Sequence, residues 1–140
     1  MIYWDNNATT ALASEVLETM LPYLRENFYN PSAAYGAGKA VRQAIDTARD
    51  QVAALVGAEP SEIIFTSGGT EASNAALAQF QRVLTLATEH PATLRTARGE
   101  AAPVLANGQA DVPEWRELLP GHDGASFAWA NHETGVIQPV

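Results

Sequence analysis

The chain has 140 residues, 46% of them apolar and 17% charged, and its 16 acidic residues against 8 Lys and Arg give a net charge of −8. This composition supports one globular domain and excludes disordered or collagen-like chains, while the negative charge disfavours nucleic-acid binding. The chain has no cysteine and a single lysine, Lys39. Since no apolar run approaches the roughly 18 residues of a membrane span and no signal-peptide pattern opens the chain, we expect a cytoplasmic protein with no membrane partner.

The first third of the chain is predicted to be helical. Apolar residues at helical spacing predict a first helix that starts at Ser14 as its N-cap, runs to about Asn27, and is kinked or broken at Pro22. A second helix carries one apolar stripe and stops at Gly57. The stripe consists of Val41, Ile45, Ala48, Val52 and Leu55.

From residue 63 onward, short apolar runs alternate with helical stretches. The predicted strands are 63–65, 83–87, a weak one at 103–105, and 126–130. Helical segments are expected after residue 71 up to about Phe80, after residue 91 and over 113–119. This order predicts an α/β fold with a mainly parallel sheet and helices on its faces.

Three polar clusters follow predicted strands, after Phe65, Ala87 and Ala130. Because ligands of parallel sheets gather beyond the carboxyl ends of the strands, this shared position predicts a binding site. It is a stronger indication than any one cluster alone.

The first cluster, Ser67–Thr70, joins a strand to a helix through two glycines. Glycine allows close backbone approach, and a helix start offers unpaired N–H groups, so the segment suits a phosphate. It is not a Walker loop, which requires a lysine here. A purely structural turn with Thr70 as N-cap is the alternative.

The other clusters offer imidazole, amide and carboxylate groups. His90 is suited to stacking on a planar ring or moving protons, although an exposed loop histidine is the more common case. The segment Asn131–Glu133 follows the last predicted strand, and Asn131 is alternatively a residue that ties down the loop. No zinc-type spacing is present, so we expect no metal site.

Five segments, in this order, resemble motifs of the cysteine desulfurases, which belong to the class V aminotransferase family of pyridoxal-phosphate enzymes. The segments are Tyr3–Thr10 (YWDNNATT), Asn30–Ser32 (NPS), Glu62–Asn74 (EIIFTSGGTEASN), Thr88–His90 (TEH) and Ala130–Pro139 (ANHETGVIQP). Each is modest alone, but together they extend over the chain and are specific.

The resemblance implies the N-terminal part of the large domain of a fold-type I enzyme that uses pyridoxal 5'-phosphate. It implies that Gly69 and Thr70 hold the cofactor phosphate, and that His90 stacks on the pyridine ring and assists proton transfer. It also implies that Asn131 and His132 lie against the cofactor. His132 is a departure, because the family has a second Asn at this place.

The resemblance also implies groups that this chain lacks. The Schiff-base lysine, the Asp that pairs with the pyridine nitrogen and the sulfur-accepting cysteine all follow the N-N-E segment in the family, whereas Lys39 precedes the phosphate motif. We therefore expect residues 1–140 to be part of a larger domain and inactive alone. We expect an N-terminal arm and helix over 1–30, a partial cofactor layer over 31–140, and an uncovered apolar surface.

The implied reaction converts L-cysteine to L-alanine and passes the sulfur to an enzyme cysteine as a persulfide, for iron–sulfur cluster or thio-cofactor synthesis. A homodimer and a sulfur-acceptor or iron–sulfur scaffold protein are the implied partners. Two alternatives remain open. One is another class V enzyme, such as a selenocysteine lyase or a transaminase. The other is a non-catalytic remnant or binding module, which the missing lysine favours for the chain taken alone.

Overall fold

The computed structural model describes residues 2–139 and divides them into two units, 2–65 and 66–139. The first unit holds α1 (Ser14–Arg25), α2 (Gly36–Val56) and a 3-10 turn (Pro60–Glu62). The second unit holds α3 (Gly69–Leu77), β1 (Val83–Leu86), α4 (Pro91–Leu94), β2 (Ala101–Ala102), α5 (Val112–Leu118), a 3-10 turn (Leu119–Gly121) and β3 (Gly124–Ser126). No helix in the described range is long and apolar enough to cross a membrane. The expected division at residue 30 stays a prediction.

Both helices of the first unit occur where the apolar spacing predicts them. Ser14 is the first residue of α1 rather than its N-cap, which is Ala13 without a side-chain hydrogen bond. Pro22 does not break α1, which continues to Arg25. Helix α2 ends as predicted, because Gly57 adopts a left-handed φ of 70° that favours glycine.

The predicted strand at 63–65 is wrong. The segment follows the 3-10 turn without pairing to any strand within residues 2–139, and the Ile64 side chain is 82% exposed. An apolar run does not form a strand without a partner for its backbone N–H and C=O groups. Arg49 replaces a neighbouring strand at one backbone group, because its guanidinium donates a hydrogen bond to the Ile63 carbonyl. The same guanidinium lies 5.0 Å from the centre of the Phe65 ring.

The second unit is built on a three-stranded, fully parallel sheet in the order β2–β1–β3, which confirms the predicted mainly parallel sheet. The central strand β1 is buried along its whole length, as its apolar run predicts. Leu84 and Leu86 form the core with Ala102, against which Trp115 and Phe127 pack.

Two predicted strands are displaced from their expected positions. Instead of 103–105, the strand is Ala101–Ala102, and Val104 makes only an isolated bridge to Ala110. Instead of 126–130, β3 is Gly124–Ser126.

Asp123 explains where β3 begins. Its carboxylate accepts hydrogen bonds from the backbone N–H groups of Gln81 and Arg82, both at 2.8 Å, so β3 starts opposite the start of β1. These two bonds, with that from Gln81 the larger cause, lower the pKa of the Asp123 carboxyl.

Large apolar side chains remain exposed in both units, in line with the expected uncovered apolar surface. Those more than 60% exposed are Ile2, Trp4, Leu24, Phe28, Leu55, Val56, Ile64, Trp129 and Ile137.

Position 99 requires glycine because the backbone of β1 lies too close to leave room for a side chain. A Cβ at this position would lie 2.1 Å from the Val83 carbonyl oxygen, so we expect Gly99→Ala to lower the free energy of unfolding by about 2 kcal/mol. Urea denaturation of the chain measures this. Gly121→Ala is the matched control, because its nearest neighbour is 3.9 Å away, and we expect a change within about 0.5 kcal/mol. Equal effects of the two substitutions would contradict the prediction.

Candidate functional site

A cavity of about 280 Å³ in the second unit brings two of the three polar clusters together. Its lining residues are Thr70, Asn74, His90, Pro91, Ala92, Arg95 and Thr96. A larger cavity of about 470 Å³ in the same unit contains none of the predicted site residues and is lined mainly by apolar groups such as Trp115 and Phe127. The smaller cavity is therefore the candidate site, since it combines hydroxyl, amide, imidazole and guanidinium groups.

The start of α3 presents unpaired backbone donors. The first helical bond of α3 is from the Ala72 N–H to the Gly68 carbonyl at 3.1 Å. Within residues 2–139, the N–H groups of Gly69, Thr70 and Glu71 have no acceptor. Three free N–H groups at the positive end of a helix dipole favour an anion such as a phosphate.

The space in front of these donors is open. A Cβ built on Gly68 or on Gly69 would meet nothing within 4 Å, and the φ of 161° at Gly68 is extended backbone that any residue adopts. Neither crowding nor backbone conformation within the described residues therefore requires glycine here. A side chain would instead occupy the volume through which a ligand reaches the N–H groups, and the loop fits a phosphate group.

Glu71 stabilises the loop that precedes α3. Its carboxylate accepts hydrogen bonds from the Ser67 hydroxyl at 2.6 Å and from the Ser67 N–H at 2.7 Å. The hydroxyl bond, followed by the backbone bond, lowers the pKa of this exposed carboxyl. Glu71 thus holds the loop through Ser67 and leaves the N–H groups of Gly69, Thr70 and Glu71 free.

His90 is the N-cap of α4. Its Nδ1 accepts a hydrogen bond from the Ala92 N–H at 3.1 Å, which assigns the ring proton of the neutral imidazole to Nε2. The structure therefore places His90 both in the cavity wall with Thr70 and at the start of a helix.

The polar cluster after residue 130 contacts the cluster after β1 through the side chain of His132. The rings of His90 and His132 are 5.3 Å apart between centroids and inclined by 59°. His132 lies in the loop after residue 130 with Nε2 at 4.0 Å from a carboxylate oxygen of Glu133. Within the described range there is no group of three or more side chains placed to hold a metal ion.

Asn131 ties down the loop that carries His132. Its side chain donates to the Thr88 carbonyl at 2.8 Å and accepts from the Glu133 and Thr134 N–H groups at 3.0 and 2.9 Å. The geometry shows this loop-tying role, which is the alternative that the sequence left open. A contact of Asn131 with the cofactor stays a prediction.

Three polar residues of the cavity wall, Asn74, Arg95 and Thr96, are not identified as site residues from the sequence. Thr96 donates to the Asn74 side-chain oxygen and so connects α3 to the segment that follows α4, while Arg95 adds the one positive charge among the lining residues. Asn74 is the last residue of Glu62–Asn74, the longest segment that resembles a family motif, and could have been selected as a site residue on that ground. Arg95 and Thr96 carry no such signal.

The chain belongs to the aminotransferase class-V family, whose profile matches residues 2–140. A "Cysteine desulfurase" from Trichormus azollae is 41% identical over 156 aligned positions, which include all of this chain and 39% of that protein. The chain therefore spans about two fifths of the relative's length, a share that fits the prediction of an N-terminal portion.

Solved structures agree with this fold. A "NifS-like protein" superposes with a TM-score of 0.87 at 35% identity, covering 99% of this chain and 43% of the other. The structure of "SspA in complex with cysteine" superposes with a TM-score of 0.84 at 30% identity, covering 98% and 44%. The fold is thus the incomplete large domain of a fold-type I enzyme, as the resemblance implies.

The pH dependence of stability tests the Glu71 contact. Because the pKa of Glu71 is lowered in the folded chain, its contribution is present above the unfolded value of 4.5 and is lost as the pH falls through the lowered folded value. We expect Glu71→Gln to reduce the acid-induced loss of stability below pH 4.5, measured by urea denaturation across that range. Exposed Glu18→Gln is the control, and an identical pH dependence for both variants would contradict the assignment.

Proposed function

We propose that residues 1–140 form the phosphate-binding part of a pyridoxal-phosphate-dependent cysteine desulfurase. The observation that carries the proposal is the open glycine loop with three free N–H groups, at a cavity whose wall holds both Thr70 and His90. The names of the similar proteins support the reaction, since they include a cysteine desulfurase and a protein in complex with cysteine.

The residues in the cavity have separable tasks. The N–H groups of Gly69 and Thr70 and the Thr70 hydroxyl hold the phosphate, and Arg95 adds a compensating positive charge. His90 faces the pyridine ring of the cofactor, and its Nε2–H is available as a hydrogen-bond donor. When bound, pyridoxal phosphate supplies an electron sink for reactions at the α-carbon of an amino acid.

Covalent attachment of the cofactor requires a lysine, and this chain offers only Lys39 in α2, which does not line the cavity. We propose that these 140 residues alone bind phosphate reversibly and do not turn over L-cysteine. The homodimer, the sulfur-acceptor or iron–sulfur scaffold partner and the cytoplasmic location belong to the same proposal.

A hydroxyl substitution tests the phosphate site. We expect Thr70→Val to weaken binding of pyridoxal phosphate to the chain about fivefold or more, the effect of losing one hydrogen bond to a charged group. Titration calorimetry at fixed ionic strength measures the affinity. Ser73→Ala, in the same helix but outside the cavity wall, is the control. Unchanged affinity in the Thr70 variant would overturn the assignment.

A chimera tests the reaction. Residues 1–140 are joined to the remaining part of the Trichormus azollae relative, and we expect L-cysteine to yield alanine and sulfide in the presence of a reductant. Release of selenium from selenocysteine without action on cysteine, or formation of a keto acid, would assign a different class V reaction. Binding of phosphate without turnover in the chimera would favour a binding module.

A further inference from the structure

We propose that Thr96 and Asn74 are positioning residues, whose hydrogen bond fixes how far the start of α3 lies from the imidazole of His90. All three residues line the candidate cavity together with Thr70 of α3. The proposal deepens the proposed function and rests on it for the ligand, a planar ring that carries a phosphate.

The cavity wall is formed by two segments that are separated along the chain. Helix α3 supplies Thr70 and Asn74, and residues 90–96 supply all the other lining residues. Strand β1 lies between these segments in the chain, so no short turn joins α3 to His90. A ligand that spans the cavity therefore depends on how the two segments are held against each other.

The α3 side of the cavity moves as one piece. Thr70 and Asn74 are one helical turn apart and lie on the same face of α3. Because side chains of an α-helix lean toward its N-terminus, the Asn74 side chain reaches toward the turn that carries the free N–H groups. A bond to Asn74 therefore fixes the phosphate-binding end of the helix.

The His90 side of the cavity is also a single piece. The His90 carbonyl accepts from the Thr93 N–H at 2.9 Å, and the Thr93 carbonyl accepts from the Thr96 N–H at 3.1 Å. These two turns connect His90 to Thr96 by backbone hydrogen bonds. The imidazole itself is oriented by the Ala92 N–H, which donates to Nδ1. A bond to Thr96 therefore fixes the position of the His90 ring.

One hydrogen bond connects the two pieces. The Thr96 hydroxyl donates to the Asn74 side-chain oxygen, and in the described part of the chain no other hydrogen bond joins residues 69–77 to residues 90–96. Helices α3 and α4 pack against each other, but these two segments bury only Leu77 and Thr93. Since apolar packing has little directional preference and a hydrogen bond has a strong one, the bond selects the relative position of the segments.

Two ligands of different length distinguish positioning from direct binding. Inorganic phosphate requires only the N–H groups and the hydroxyl at the start of α3. A phosphorylated pyridine ring must also reach His90, so its affinity depends on the distance between the two segments. Loss of the bond between Thr96 and Asn74 should therefore weaken binding of the longer ligand alone.

NMR titrations of the nitrogen-15-labelled 140-residue chain test the proposal, with the amide signals of Gly69 and Thr70 as the readout. The ligands are inorganic phosphate and pyridoxine 5'-phosphate, which has no aldehyde to react with Lys39. We expect Thr96→Val to lower the affinity for pyridoxine 5'-phosphate about fivefold, the effect of losing one neutral hydrogen bond. The affinity for inorganic phosphate should stay within about twofold.

Two further threonine variants are the controls. Thr96→Ser keeps the hydroxyl and should retain the wild-type ratio of the two affinities. Thr88→Val makes the same chemical change two residues before His90, where the hydroxyl has no hydrogen-bond partner within residues 2–139 and lies outside the cavity wall. Thr88→Val should leave the ratio unchanged, and failure of Thr96→Ser to retain it would overturn the proposal.

A double-mutant cycle tests whether the two side chains act through their shared bond. Asn74→Ala should lower the affinity for pyridoxine 5'-phosphate as much as Thr96→Val does. The double variant should lose no more than either single variant, because each substitution removes the same bond. Losses that add would show two independent contacts with the ligand and would overturn the proposal.

Urea denaturation of every variant confirms that the affinities belong to folded chains. An equal loss of affinity for both ligands in Thr96→Val would indicate a merely structural role and would contradict the proposal. A wild-type chain that binds neither ligand would sink the proposed function and this proposal with it. Wild-type binding of both ligands, with an unchanged ratio in Thr96→Val, would overturn only the positioning role.

Discussion

The side chain of Asn131 is the contact on which the arrangement of the site depends. Its amide group donates to the Thr88 carbonyl and its oxygen accepts from two backbone N–H groups and the Thr134 hydroxyl, while the residue is only 7% exposed. A buried amide with these partners avoids the cost of an unpaired polar group. The result is that the loop after residue 130 stays against the segment after β1, and the imidazoles of His90 and His132 meet.

The elements with strong local signals could be predicted from the sequence. Helix α2 combines an apolar stripe with a left-handed glycine, and β1 is an apolar run buried on both faces. The predictions were wrong for strands whose position depends on contacts with residues far away in the sequence. Residues 63–65 have the composition of a strand but no ladder within the described residues. The start of β3 is set by Asp123, whose partners lie about 40 residues earlier in the chain.

The site was predictable to the extent that it lies in contiguous motifs. Gly69, Thr70 and His90 could be singled out because glycines, a helix start and a histidine after a strand have recognisable chemistry. The tautomer of His90 could not, because it depends on the direction of the Ala92 N–H. Arg95 was missed for a similar reason, since only the packing of α4 against α3 places it in the same cavity as Thr70.

The all-parallel sheet has a consequence for how the second unit folds. No two of its strands are joined by a hairpin, so every ladder must wait for a long loop to close, and the Asp123 contact with Gln81 and Arg82 spans 42 and 41 residues. Closure of this kind costs entropy before any sheet contact forms, which makes folding slow. Until those loops close, the strand Val83–Leu86, which is buried along its whole length in the folded unit, has no partner strand on either side.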